Sequence, residues 1–288
     1  MGGDMSRLVT YLSFILLMWP GIEPARAQVE WLTDFDEAKE IARSENKLLL
    51  LDFWAKWCGP CLAMDRDVWV DDEVMQLSDK VVMVRVNVDH SRQLSMRYGT
   101  GKIPTMAFLD CSGNKLLNYI GYKDAAQMSH ILRMLPANLE AIYIRIEALE
   151  KNPDNVILQI ALGDSYRSLG LVLKSRLPVD MILNLSNDFY KAASKSNKMG
   201  DKPWLLDKAQ TSMAMNYLTL GNSRKAKSII KKCMKKFPES NHRPAHLYCM
   251  VQANLLQQDR REARKFFDML KSEFPEDGYT RKAQASFD

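Results

Sequence analysis

The run Leu48-Leu49-Leu50-Leu51-Asp52-Phe53, followed five residues later by Cys58-Gly59-Pro60-Cys61, constrains this chain most. Six residues, apolar but for one aspartate, form a strand buried on both faces, as in the centre of an α/β sheet. A helix follows, entered at Cys58 and carrying Cys61, Leu62 and Met64. At a helix start the backbone N–H groups are unpaired and the dipole is positive, so a Cys58 thiolate is stabilised there. Cys61 lies about one turn further in, within reach of a mixed disulfide on Cys58, and Pro60 suits the first helical turn because no N–H is lost there. This assigns Cys58 as attacking thiol and Cys61 as resolving thiol. A zinc site needs two further ligands, and no second Cys-x-x-Cys exists. A c-type haem needs histidine after Cys61, where Leu62 stands. An inert structural disulfide is the remaining alternative, though so short a loop constrains the unfolded chain little.

The elements around the dithiol alternate. Val29–Leu32 reads as a short strand, 34–45 as helix, 71–77 as helix, 81–88 as strand and 90–98 as helix. Two more strands, 105–109 and 115–120, flank a Ser112-Gly113-Asn114 turn, and 123–135 closes with an amphipathic helix. The order predicts helices on a central mixed sheet.

These residues resemble the thioredoxin family. The active-site segment runs Asp52-Phe53-Trp54-Ala55-Lys56-Trp57-Cys58-Gly59-Pro60-Cys61. Val84–Asp89 resembles the family's central strand, Gly101-Lys102-Ile103-Pro104-Thr105 its cis-proline loop, and Gly121 the glycine after its last strand. Met64–Val74 is longer than in the smallest thioredoxins and is similar to exported relatives such as the periplasmic domain of the DsbD-type electron conductor. The resemblance implies a thioredoxin fold over 28–136 and catalytic roles for Cys58, Cys61 and Asp52, with Asp52 as a buried carboxyl taking the proton from Cys61. It implies a substrate-binding surface of Trp57, Gly59, Pro60, Ile103 and a cis Pro104. Arg85 stands where the family commonly has lysine; an arginine near Asp52 favours its ionised form and works against that relay.

Residues 1–27 resemble an export signal: Arg7, an apolar stretch from Leu8 to Trp19, a break at Pro20-Gly21, then Ala25-Arg26-Ala27 before cleavage. An uncleaved membrane anchor is the alternative. No later stretch reads as transmembrane. The expectation is a periplasmic or secreted protein.

The chain has 288 residues, enough for about two domains, and its charge divides unevenly. Residues 1–136 hold 15 Lys and Arg against 18 Asp and Glu; residues 137–288 hold 25 against 17. Strand signals stop near Ala137. Met213-Ala214, Tyr217, Gly221, Ala226, Ile230 and Phe237-Pro238 fit one helix–turn–helix unit, and Ala263, Phe267 and Phe274-Pro275 repeat its second half. An earlier unit starts at Leu162-Gly163 with Tyr166, its second helix displaced toward 187–193. The pattern resembles tetratricopeptide repeats, implying an all-α domain over 137–288 with a curved surface for a protein partner. A helical extension that only stabilises or dimerises the chain is the alternative. Arg224, Lys227, Lys231 and Lys235 read as a solvated face, and nucleic acid is not an expected partner.

Cys233 and Cys249 read as core residues on adjacent helices, or as a pair. With His242 and His246 they form a set able to bind zinc in principle, but His246 reads more simply as a surface residue, and no metal site is assigned. Cys111, before a turn, reads as an exposed odd thiol. No flavin or nicotinamide site is recognised, so the dithiol is the only redox group expected. The expected function is reduction of disulfide-containing protein substrates, with a DsbD-type membrane conductor as electron source. The rival is a repeat adaptor or chaperone whose dithiol is a sensor or a structural bridge.

Overall fold

The computed structural model describes residues 29–99, 101–196 and 202–288. The proposed signal segment, 1–27, lies outside them. Helix α1 (Phe35–Glu45) starts on Asp34, whose carboxylate accepts from the N–H groups of Asp36 and Glu37. Strand β1 (Leu48–Trp54) follows, then α2 (Gly59–Asp67), α3 (Asp72–Ser78), β2 (Val81–Asn87), α4 (Arg92–Arg97), β3 (Thr105–Leu109), β4 (Lys115–Ile120) and α5 (Ala125–Met134). The sheet order is β2-β1-β3-β4, with β1 parallel to β2 and antiparallel to β3. This is the mixed sheet expected, with β1 at its centre and Leu48–Phe53 wholly buried. The short first strand reduces to a single parallel bridge from Leu32 to Val84. At the β3–β4 turn, Gly113 has φ +79°, and a Cβ there would meet Tyr98 Oη at 2.9 Å, so only glycine fits.

Helices α6 (Glu140–Lys151), α7 (Val156–Leu173), α8 (Asp180–Lys195), α9 (Pro203–Thr219), α10 (Ser223–Lys236), α11 (Arg243–Leu256), α12 (Arg260–Glu273) and α13 (Gly278–Gln284) make up the rest. The main helical pairs are α7 with α8, α9 with α10 and α11 with α12, stacked in sequence. The Phe-Pro echoes end alternate helices: Phe237 caps α10 and Phe274 caps α12. The displaced helix of the first unit is α8, which begins at Asp180, earlier than the sequence pattern placed it.

Small residues let these helices approach. A Cβ on Gly163 would lie 2.8 Å from the ring of Tyr190. Tyr190 is wholly buried and donates its hydroxyl to Asp164 Oδ1 at 2.7 Å, so the ring cannot swing aside. Gly163→Ala should therefore destabilise the chain by about 1–3 kcal/mol, read as a lower midpoint in urea; an unchanged midpoint would show that the helices part freely.

Helix α7 is long and apolar enough to cross a membrane by length and composition, contrary to the sequence expectation. Its packing gives the reason. Ile160, Leu162, Tyr166 and Leu173 are buried, and the helix lies against α6 and α8.

The helices are not a separate body hung from the sheet. One hydrophobic core runs from Ala38 to Leu183 and joins β1 and β3 to Leu139, Ile142, Tyr143, Ile146 and Tyr166. Tyr143 donates its hydroxyl to Lys47 O at 2.6 Å and accepts from Cys111 N–H at 3.1 Å. Tyr166 donates to Asp110 Oδ2 at 2.5 Å, and Arg43 pairs with Glu150 at 2.9 Å. Cys111, expected to be exposed, is therefore buried, because Tyr143 covers it from a helix beyond the sheet. Burial pushes its thiol up to about 12.

Candidate active site

β1 delivers the chain to Ala55, whose carbonyl accepts the Cys58 N–H at 3.1 Å. That turn places Cys58 as the cap of α2. Its sulfur accepts the Cys61 N–H at 3.2 Å, and Pro60 sits in the first helical turn. Cys58 and Cys61 are joined as a disulfide, both nearly buried, at 4% and 2% exposure. Once reduced, a Cys58 thiolate keeps that N–H and the positive end of the helix dipole.

Around the sulfurs the surface is apolar. Ala55, Cys58 and Cys61 cluster with Trp54, Val88 and Ile103. The Ile103–Pro104 peptide is cis. Gly121 N–H donates to Pro104 O at 2.8 Å, tying the proline loop to the end of β4. Gly59 and Pro60 are exposed, and Trp57 is 68% exposed. The Trp57 indole N–H is held by Asp89 Oδ2 at 3.0 Å, so the ring is fixed beside the dithiol rather than free. Sequence reasoning missed Asp89 as the anchor, since nothing in its spacing points back to Trp57.

Asp52 lies in the middle of β1, opposite Arg85 on β2 and Met106 on β3. It is 2% exposed. Burial raises its carboxyl to about 7; Arg85 pulls the other way and Asp65 adds to the rise. The expected conflict between Arg85 and a proton relay is thus weaker than the sequence suggests. Arg85 Nε stands 3.7 Å from Asp52 Oδ2, too far for a hydrogen bond, while its terminal nitrogen is engaged by Asp65. The guanidinium also lies over the Trp54 ring, 4.3 Å from its centre, and over Trp31 at 5.2 Å. Asp65 comes from α2, four residues after Cys61. Its role was invisible in sequence because the pairing partner is on another element.

A thioredoxin-like family model matches residues 30–111, and a tetratricopeptide repeat model matches 208–240. Thioredoxin-1 of Drosophila yakuba is 33% identical over 109 residues, covering 38% of this chain and 96% of that protein. Thioredoxin 1 of Nostoc sp. is 36% identical, over 38% of this chain and 94% of its own length. Against Thioredoxin-T of Drosophila melanogaster, 34% identical, the match covers 30% of this chain and about half of that protein, 53%. The solved thioredoxin of Malassezia sympodialis is 26% identical with a TM-score of 0.30, over 38% of this chain and 90% of that one. A dithiol capping a helix beside a cis proline, on a β2-β1-β3-β4 sheet and in a chain this similar to whole thioredoxins, identifies a member of the thioredoxin family, here continued into tetratricopeptide-like helices.

Proposed function

We propose that the chain is an exported protein-disulfide reductase. The observation that carries this reading is the Cys58 sulfur at the N-cap of α2, accepting the Cys61 N–H beside an apolar, partly exposed rim. The Cys58 thiolate attacks one sulfur of a substrate disulfide and the other leaves as a thiolate. Cys61 then gives its proton to the Asp52 carboxylate and attacks Cys58, releasing the second substrate thiolate. Two electrons pass to the substrate and the Cys58–Cys61 disulfide remains. Pro104 has no N–H, so a substrate strand pairs with the Ile103 backbone before it, against Trp57, Gly59 and Pro60. An outside dithiol must restore the reduced form; a membrane conductor of DsbD type fits an exported chain. Export itself rests on the Arg7–Ala27 sequence pattern. Trapping tests the proposal: Cys61→Ser should accumulate mixed disulfides with periplasmic proteins, identified by mass spectrometry. A chain that traps nothing would remove the reductase reading.

The helical repeats then bind the substrate or a partner protein. A groove runs across α7, α9, α11 and α13, lined by Arg167, Lys174, Tyr248, Tyr279 and Lys282, with no acidic side chain among the described residues lining it. Among the described residues the Arg167 guanidinium donates to Met215 Sδ, at 3.4 Å, and its Nε is buried without a hydrogen-bond partner. A half-buried cation held by a thioether fits a segment bearing a carboxylate. Arg167→Ala should weaken binding of an acidic peptide roughly tenfold or more, measured by fluorescence anisotropy, and leave reduction of insulin unchanged.

Asp52 gives a pH signature. Its folded carboxyl titrates near 7, above the ordinary 3.8, so the folded protein binds more protons than the unfolded chain between those values. The Asp52 contribution to stability is then fully present below about pH 4 and is lost as pH rises through 7. Asp52→Asn should stabilise the protein at pH 8 by up to about 4 kcal/mol and hardly at pH 4. It should also slow release of the mixed disulfide, about 10²-fold. Equal stabilisation at both values would place the carboxyl elsewhere than in the buried site.

A further inference from the structure

Asp207 on α9, Cys233 on α10 and His246 on α11 converge from three successive helices, their donor atoms within 4.8 Å of one another. All three are buried, at 1%, 0% and 0% exposure. The sequence placed His246 on the surface; α11 instead lies between α10 and α12, and this face of it points inward. Cys249 is not part of the cluster; Asp207, which the sequence pattern did not suggest, takes its place.

The cluster's own hydrogen bonds leave it incomplete. Asp207 Oδ1 lies 2.9 Å from His246 Nε2, and Asp207 Oδ2 accepts the Ser240 hydroxyl. Thr211 Oγ1 lies 2.9 Å from the same histidine nitrogen. The Cys233 thiol donates to Gln210 Oε1 at 3.2 Å. His246 Nδ1 is buried with no partner. Among the described residues no lysine or arginine pairs with Asp207, and the adjacent Lys208 is engaged by Asp164 at 2.8 Å. The carboxylate is held by the Ser240 hydroxyl and the His246 imidazole, with no permanent cation beside it among the described residues.

We propose that Asp207, Cys233 and His246 bind a zinc ion. One carboxylate, one thiolate and one neutral imidazole carry two negative charges, so a divalent cation makes the buried site neutral. Sulfur, nitrogen and oxygen donors together suit zinc over magnesium or calcium. Zinc bonds of ~2.0–2.3 Å hold tetrahedral donors roughly 3.3–3.8 Å apart, so the set closes on an ion with side-chain shifts of about an ångström. Coordination displaces the Cys233 thiol proton to solvent, with no change of oxidation state. Asp207 also lines a groove with Trp204, Phe237, Pro238 and His242, and water from that groove fills the fourth position. The ion ties together three helices around the repeat unit at 208–240.

Metal analysis of the full untagged chain, purified from zinc-supplemented medium with Cys58–Cys61 oxidised, tests this. Stoichiometric zinc is expected, lost in Cys233→Ser and in Asp207→Asn and kept in a Cys58→Ser, Cys61→Ser chain. Cobalt added to the stripped wild-type chain should give a thiolate-to-metal charge-transfer band that survives Cys111→Ala and Cys249→Ala. If the Cys233 variant fails to fold, that wild-type spectrum decides alone. Absence of both stoichiometric zinc and the cobalt band overturns the proposal. So does loss of the metal with the dithiol serines, which would put the ion at Cys58 and Cys61.

Discussion

Cys58→Ser should abolish this protein's acceleration of insulin reduction by dithiothreitol, leaving the rate of dithiothreitol alone, a loss of more than roughly 10³-fold in the catalysed part. Only a thiolate exchanges disulfides, and a serine hydroxyl at the same cap is not ionised at neutral pH. The serine preserves the fold: its oxygen still caps α2 by accepting the Cys61 N–H, so helix and sheet stay in place. The effect is then chemical rather than structural, and circular dichroism should show an unchanged chain. Cys61→Ser gives a contrasting result. Attack proceeds, but the mixed disulfide cannot resolve internally, so turnover falls while a covalent adduct accumulates. Comparable activity in Cys58→Ser and wild type would end the enzymatic reading and favour the rival in which the repeats do the work.

The contrast between what the sequence disclosed and what it hid follows one physical division. Strand β1 was legible because it is buried on both faces and so is continuously apolar. Strands β3 and β4, at 105–109 and 115–120, were legible from their turn residues, and the tight turn at Gly113 allows no other residue. The cap at Cys58 is local chemistry, contained within four residues. What was hidden depends on partners distant in sequence. Periodicity shows that a helix has an inner face, and it does not show what covers the outer one. Helix α11 buries Ala245, His246 and Leu247 in succession because neighbours lie on several sides, so reading His246 as a surface residue misjudged its exposure. Cys111 read as an exposed thiol before a turn, yet Tyr143 covers it, and Tyr166 reaches the neighbouring Asp110 from a distant helix. The Arg85–Asp65 pair that draws a cation partly off Asp52 is likewise a contact between elements.

That shared burial has a direct consequence for any truncated chain. Residues 28–136, cut as an isolated thioredoxin domain, should fail to melt cooperatively or should melt far below the full protein. The cut removes Leu139, Ile142, Tyr143, Ile146 and Tyr166 from a core that also holds Leu48–Leu51, Leu109 and Cys111. Losing a buried aromatic costs about 3–5 kcal/mol, and each polar group left buried without its partner about 1–3 kcal/mol more. Lys47 O and Cys111 N–H both lose the Tyr143 hydroxyl, and Asp110 loses that of Tyr166. Two aromatics and several aliphatic side chains together match the ~5–15 kcal/mol that holds an ordinary domain folded. A chain ending at residue 195 keeps α6, α7 and α8, and with them these contacts and the packing of α8 on β4, so it should recover a cooperative transition. Thermal unfolding followed by circular dichroism distinguishes the cases. If 28–136 melts within a few degrees of the full chain, the tyrosines are surface decoration and the two parts are independent. If it does not, loss of activity on deleting the helices says nothing about substrate choice. Point substitutions in the groove, Arg167→Ala above all, then become the valid measure of what the repeats select.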